Sequence, residues 1–586
     1  MSDTGVDDSA LQDSRVVSEG GGMMHHRHIK HSHKPPVPQS AELEAAKQQI
    51  FSALITNVQR VQRHTPDGKS RPTGGVYVGI AGTVVMNYHL AGLRIPAPHK
   101  SLSPDILRSQ AAKKLADALC LNPTGLSIPH SPSHASFLET VVGIATLALL
   151  KAIKSPSTLS PSSHTNDDED STSAEWRSCA QILRSTCQMS IAEDAVHSKV
   201  KDDDGCEVLY GRAGLLYALL LLRRETQDIQ ADSVDKSSDS AVAVAKSIAT
   251  LENIENIVES IIVRGRTGAT TYGASIASSG RATPTPPDLM WTWHHKRYLG
   301  AAHGIAGILQ LTLMCPTVIL ARYAKDILNT VLWLVETQDP FGNWPSKAPE
   351  YDGDDSYSLS SLSTHKKGSD FNANELVQWC HGASGMLFML GTLLQRATSS
   401  PQSFPLTPPQ RATILASMLR GASLVYRHGL LRKGVGLCHG VAGSVYALLA
   451  VSSALAILPR TGPDAADSLV TTRSRHHEHH AEGSTDARAV AANEPTATMP
   501  EYYLMRAVHL ARLATTHETL TAQREMNVPD RPWSLYKGMA GMCCAWGDVL
   551  ARLQPPSPPA SAGQGILPGT RSGMPGFDDI RVDENW

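Results

Sequence analysis

Aromatic residues make up only 5% of this 586-residue chain and charged residues 18%, against roughly 25% charged in an average domain. Neither sign of charge dominates: the formal net charge is −2, which removes the electrostatic case for a nucleic-acid partner. No run approaches the roughly 20 apolar residues that span a bilayer. The opening stretch is acidic and has no apolar segment, so no secretory signal is expected, and Ser2 stands where N-myristoylation needs glycine. The nine cysteines follow no framework spacing, and an odd count argues against a disulfide scaffold. These absences predict a soluble protein of a reducing compartment, the cytoplasm, with peripheral contact at the plasma membrane as the most membrane association expected.

What the chain does have is 44 glycines, and many sit in a repeated knot. Seven short Gly-x-x-Gly-like knots head apolar runs, beginning at Gly79, Gly143, Gly211, Gly304, Gly382, Gly440 and Gly538. Their first glycines lie 64, 68, 93, 78, 58 and 98 residues apart. The runs that follow have helical spacing, as in Leu215 to Leu222 and Leu309 to Met314. One helix start per unit at this long period predicts an array of helix pairs in a single all-α domain over 41–553. The uneven gaps are what loops inserted between fixed helix starts would give.

The remaining segments read as loops by composition. Residues 1–40 are polar and His-rich and are expected to be disordered; insertions are expected at about 155–175, 266–288, 346–370 and 459–499; and 554–586 is a Pro/Gly-rich C-terminal segment. The run His476 to His480 invites a metal reading, but nothing around it would hold four ligands in one geometry, and a solvated loop is the stronger expectation.

Two knots carry chemistry. Cys380 and His381 precede Gly382, and Cys438 and His439 precede Gly440. If the helices form a ring, their N-termini converge at one end, and Cys380, Cys438 and His439 can supply two thiolates and an imidazole. That set suits Zn²⁺ and leaves a fourth position open, the mark of a catalytic rather than a structural site. Helix N-terminal dipoles favour thiolates at such positions. On spacing alone the alternative is equally good, that these are buried cysteines acting as small hydrophobes. His303, before Gly304, lies at the same level; it is either a general acid or base near the metal or a helix cap.

Several blocks in order resemble the eukaryotic LanC-like proteins, relatives of the bacterial lanthionine cyclases. The central one is Trp293-His294-His295-Lys296-Arg297-Tyr298-Leu299-Gly300-Ala301-Ala302-His303-Gly304. Leu209 to Gly214, Glu375 to Ala383, Lys433 to Gly440 and Pro532 to Gly541 match further repeats, so the similarity runs over about 75–580 with interruptions. The resemblance implies a double-layered α/α toroid of seven helix pairs with zinc at the end where the inner helices begin. It implies Cys380, Cys438 and His439 as zinc ligands and His303 as the proton-transfer residue. Glu207 holds the place of an aspartate found in the bacterial cyclases, and Leu376 the place of their arginine. Lys433 matches a lysine associated with glutathione in the eukaryotic branch, whereas a second basic contact of that branch falls at Asn527 here, between Arg524 and Arg531.

The implied activity is zinc-dependent addition of a thiol, glutathione, to dehydroalanine or dehydrobutyrine residues of a peptide or protein. His303 would handle the proton, with Glu207 or Arg212 holding the substrate backbone or orienting His303. Two other readings stand beside it: a peptide lanthionine cyclase, disfavoured by Leu376, and a non-catalytic regulatory protein that binds zinc and glutathione. A glycan-processing α/α barrel would need a carboxylate pair across the cavity, and Glu207 is the one carboxylate the sequence places at that level.

Overall fold

The computed structural model describes residues 26–64, 75–95, 99–121, 126–154, 167–192, 203–227, 229, 240–278, 285–349, 376–458, 497–554 and 572–580. Among them the regular structure is helical, with three isolated β-bridges and no strand. Two kinds of helix alternate along the chain. One kind is amphipathic: Ala41–Arg63, Pro104–Cys120, Asp167–Ala192, Leu251–Ser278, Ala324–Glu336, Pro408–His428 and Pro500–Ala514. In Ala41–Arg63 the buried residues Leu43, Ala46, Ile50, Leu54, Val58 and Val61 recur every three or four positions, and the Ser40 hydroxyl caps the start by accepting from Leu43 N–H.

The other kind is buried almost all round: Ile80–Ala91, Val141–Lys154, Arg212–Gln227, Ile305–Leu313, Ala383–Ser399, Val441–Ile457 and Met539–Arg552. Each begins at a knot, and the second residue of glycine type in every knot has a steric reason to be there. A Cβ at Gly307 would lie 1.9 Å from the Ala301 carbonyl oxygen, and one at Gly82 would lie 2.4 Å from that of Val76. The same clash with the residue six positions earlier recurs at Gly143, Gly214, Gly385, Gly443 and Gly541. This corrects the sequence register of the second knot. Gly143 is its second glycine, and Thr140 stands in the first position, with its hydroxyl helping to start the helix by accepting from Val142 N–H.

The segments ahead of the knots are hydrogen-bonded in a closed cycle. Tyr77 N–H donates to Leu138, Ala302 to Cys380, Cys380 to Cys438, Cys438 to Tyr536, and Tyr536 back to Tyr77. Ala135 N–H donating to Tyr210 and Val208 N–H donating to Ala302 supply the remaining links. Backbone groups that no helix can satisfy are thereby paired between repeats. Successive buried helices from Val141–Lys154 to Met539–Arg552 pack on one another, and the last packs on Ile80–Ala91.

Four segments read as loops or tails are ordered where described. Residues 26–33 lie along Tyr426 to Arg432: Ile29 is buried and donates to the Leu430 carbonyl, and His28 stacks on His428 at 4.0 Å. Helix Asp167–Ala192 begins inside the segment expected as an insertion at 155–175. Helix Leu251–Ser278 continues through residue 266 because Gly265 and Gly268 admit Trp291 and Met290 at close quarters, while Tyr272 and Ile276 are buried. Residues 279–284, most of the 346–370 and 459–499 insertions, and the His476 to His480 run lie outside the described residues.

The fourth segment is C-terminal. Met574, Phe577 and Ile580 are buried, and Gly576 takes a positive φ of 82° in the turn that carries them inward. Asp579 accepts from the Tyr217 hydroxyl (2.8 Å), Asp578 from the Gln310 amide (3.1 Å), and the Pro575 carbonyl from the Tyr536 hydroxyl (2.9 Å). Phe577 sits edge-on to Trp379, the residue before Cys380, at 5.1 Å and to Phe388 at 5.4 Å. Phe577→Ala is expected to cost about 3–5 kcal/mol through lost burial and the cavity left behind, read as a lower urea midpoint with cooperative unfolding kept.

Candidate metal and proton-transfer site

Cys380, Cys438 and His439 come together where the cycle joins the fifth and sixth knots. Their ligand atoms all lie within 4.8 Å of one another, with both cysteines buried and His439 half-buried. The Cys380 N–H donating to the Cys438 carbonyl fixes the spacing. Gly382 has φ +94°, and a Cβ there would sit 1.8 Å from the Leu376 carbonyl oxygen, so only glycine turns the chain from Cys380 into its helix. Asn343, from a distant loop, holds that turn, accepting from Ala383 N–H (2.9 Å) and donating to the Leu376 carbonyl (3.2 Å).

The charge state of the two thiols tests whether a cation fits. Burial pushes both up. Hydrogen bonding with Cys438, the Lys433 cation and the Gln378 amide, which donates to Cys380 Sγ at 3.0 Å, bring Cys380 below the usual thiol range. Burial and the same bond to Cys380 drive Cys438 well above it. Two buried sulfurs cannot both ionise against each other, and a bound cation removes that conflict. The group can hold a metal ion. The hydroxyl of buried Tyr77 hydrogen-bonds to Cys438, and its ring stacks on Tyr536 at 4.8 Å.

His303 lies on the neighbouring knot. Its Nδ1 is 2.9 Å from Glu207 Oε2, a pairing across 96 residues of sequence. Trp293 lies flat on the imidazole, with ring centroids 3.7 Å apart and planes 5° apart. Trp293 is presented by a tight turn in which His294 (φ 47°) and His295 (φ 58°) are both left-handed, closed by two hydrogen bonds between Trp293 and Lys296. Burial lowers His303 to about 3, so the ring is neutral. Burial raises Glu207 to about 8, against the pull of the Leu209, Tyr210 and Gly211 N–H groups. Both groups are therefore uncharged at neutral pH, the carboxyl keeping its proton beside a neutral ring.

Arg212 is fully buried and donates to the carbonyls of Ser190, Asp204 and Gly205, fastening the loop that carries Glu207. Lys433 is exposed, two residues beyond the Leu431 bridge to His28, and its charge reaches Cys380 and His381. Asn527 N–H donates to the Arg432 carbonyl (2.7 Å), so the two strips lie side by side.

The corrected register adds residues that sequence reasoning missed. The position just before the first residue of each knot is held by Val78, Glu139, Tyr210, His303, His381, His439 and Lys537. His381 is buried, and its Nδ1 has no hydrogen-bond partner. Trp293 and Gln378 lie in blocks of the resemblance that assigned them no role, and Asn343 carries no signature, since it acts from outside the knots.

The architecture and this group define a helical repeat protein able to hold a metal ion on two thiols and an imidazole beside a histidine–glutamate pair. Comparison with known proteins agrees. The model of the lanthionine synthetase C-like protein family matches residues 162–458. The chain belongs to that family. A Danio rerio protein named glutathione S-transferase LANCL1 is 28% identical over 247 residues, 42% of this chain and 46% of its own. The LanC-like protein GCL1 of Arabidopsis thaliana is 26% identical over 348 residues, 59% of this chain and 55% of its own. The chain thus spans about half the length of the curated relatives it matches. No helix of the described residues is long and apolar enough to cross a membrane.

Proposed function

We propose that this chain is an α/α toroid of seven helix pairs whose one rim adds a thiol to dehydroalanine or dehydrobutyrine residues of peptides or proteins. The closed cycle of hydrogen bonds and the alternation of buried and amphipathic helices support the toroid. The observation that carries the activity is the neighbourhood, on consecutive knots, of Cys380, Cys438 and His439 with the His303–Glu207 pair. The name of the Danio rerio relative supports glutathione as the thiol.

Two sulfurs and one imidazole favour zinc over harder cations. Cys380, Cys438 and His439 would hold the zinc, which would supply the ionisation of a substrate thiol at neutral pH, the thiol proton passing to solvent. Gln378 and Tyr77 orient the two cysteine ligands, as outer-shell groups do. The thiolate forms a C–S bond at the β-carbon of the alkene, and its electron pair moves to an enolate. Protonated Glu207 donates to His303 Nδ1, which leaves Nε2–H as the proton given to the α-carbon; Nδ1 then takes the proton of Glu207. Trp293 fixes the plane of the imidazole. Arg212 keeps Glu207 in place, and Lys433 attracts the anionic end of the thiol.

The test is incubation of the full chain with glutathione and a dehydrobutyrine-containing peptide, followed by mass spectrometry. A mass gain equal to one intact glutathione is expected. A peptide that instead cyclises on its own cysteine without mass gain points to a lanthionine cyclase. Binding of glutathione without product points to the regulatory reading.

A further inference from the structure

The ring order of the knots separates the rim into two halves. His303 and Tyr210 lie on one side of the metal group. On the other side, after His439, come Lys537, Val78 and Glu139 in that order around the cycle. The ladder behind these three is continuous: Tyr536 N–H donates to the Tyr77 carbonyl and Tyr77 N–H to that of Leu138. Each is the residue just before Lys537, Val78 and Glu139, respectively, so the three side chains stand in a row at one level.

The two outer turns are built alike. Glu139 N–H donates to the Ser136 hydroxyl, and Lys537 N–H donates to the Ser534 hydroxyl, three residues back in each case. The row thus presents a carboxyl and an ammonium, both half-buried, flanking one small apolar side chain. Among the described residues neither the Glu139 carboxylate nor the Lys537 ammonium makes a side-chain hydrogen bond or ion pair. Buried or half-buried charge without a local partner is costly, and it is retained where a ligand supplies the partner. Burial raises Glu139 to about 7, with the Lys537 cation opposing and Glu207 adding to the rise.

We propose that Glu139 and Lys537 form a recognition pair for a short peptide thiol that carries an ammonium and a carboxylate at separate points, Glu139 taking the ammonium and Lys537 the carboxylate. This rests on the thiol-addition reading and divides its rim: the thiol lies over knots six, seven, one and two, and the alkene acceptor over the His303 side. Val78 leaves room between the charges for the peptide backbone. Lys433, on the sixth repeat, reinforces the carboxylate side.

Calorimetry with S-methylglutathione, whose sulfur cannot ionise, reads the pair without turnover. Glu139→Gln and Lys537→Met are each expected to weaken its binding about tenfold, and Glu139→Asp and Lys537→Arg to restore most of it. In the addition assay the preference for glutathione over 2-mercaptoethanol is expected to fall about tenfold in both neutral variants. Discrimination against N-acetylglutathione should vanish in Glu139→Gln but persist in Lys537→Met. Unaltered binding in both neutral variants, no binding by the wild type, or equal loss of N-acetyl discrimination in both would overturn the assignment. A wild type that binds S-methylglutathione but adds no thiol would sink the addition reading and leave the pair standing.

Discussion

Cys438→Ala is expected to abolish both metal binding and thiol addition, leaving only the uncatalysed rate. The reasons are cumulative. The variant removes one of two sulfurs, and a cysteine–imidazole pair is a poor zinc site. It also removes the hydrogen-bond partner of Cys380, the first of the groups that oppose burial and hold that thiol below the usual range. The backbone contribution survives, because Cys438 N–H donates to the Tyr536 carbonyl and its own carbonyl accepts from Cys380. Loss of function should therefore come with little loss of fold, checked by metal content, adduct formation and the urea midpoint on one preparation.

His303→Asn is expected to lower turnover by about a hundred- to ten-thousandfold, the range for removing a positioned acid, with metal content unchanged. The imidazole lies on the fourth knot and the metal group on the fifth and sixth, so the two functions separate. The pH profile adds a second readout. Glu207 is raised to about 8, so the pair keeps its proton below that pH and loses it above. The wild-type rate should fall as pH rises through about 8, and Glu207→Gln, which can donate a hydrogen bond to Nδ1 but cannot give up a proton, should lack that limb. A limb retained in Glu207→Gln would assign the proton elsewhere.

How much of this was legible in the sequence depends on what sets each feature. The second glycines were legible because sterics allow nothing larger: at Gly307 or Gly443 the backbone six residues earlier occupies the space of a Cβ. The second knot was misread by three residues because Thr140 replaces the first glycine, and the same slip hid Glu139. The metal group was half-legible. Each cysteine marks its own knot, but 58 residues separate them, and only the cycle of hydrogen bonds brings them to one place. Glu207 as a partner of His303 was among the roles the resemblance implied; the Trp293 stack is a tertiary contact made through a strained turn, with no local pattern to announce it.

The tails misled for a different reason. Polar, glycine-rich composition signals a lack of self-supporting structure, not a lack of partners. The segment around Phe577 is ordered by its packing on Trp379 and Phe388, and the segment around Ile29 by the strip that leads to Lys433. Helix Leu251–Ser278 runs through threonine and glycine because the Trp291 ring and the Met290 backbone press against it.

The central claim is that Cys380, Cys438 and His439 hold one metal ion on which thiol addition depends. The most direct measurement is to strip the purified full chain with a chelator and titrate zinc back while following glutathione addition to the dehydrobutyrine peptide. No addition is expected in the stripped protein, followed by a rise that breaks at about one zinc per chain. Full activity after stripping, or a rise without a break near one equivalent, would contradict that claim.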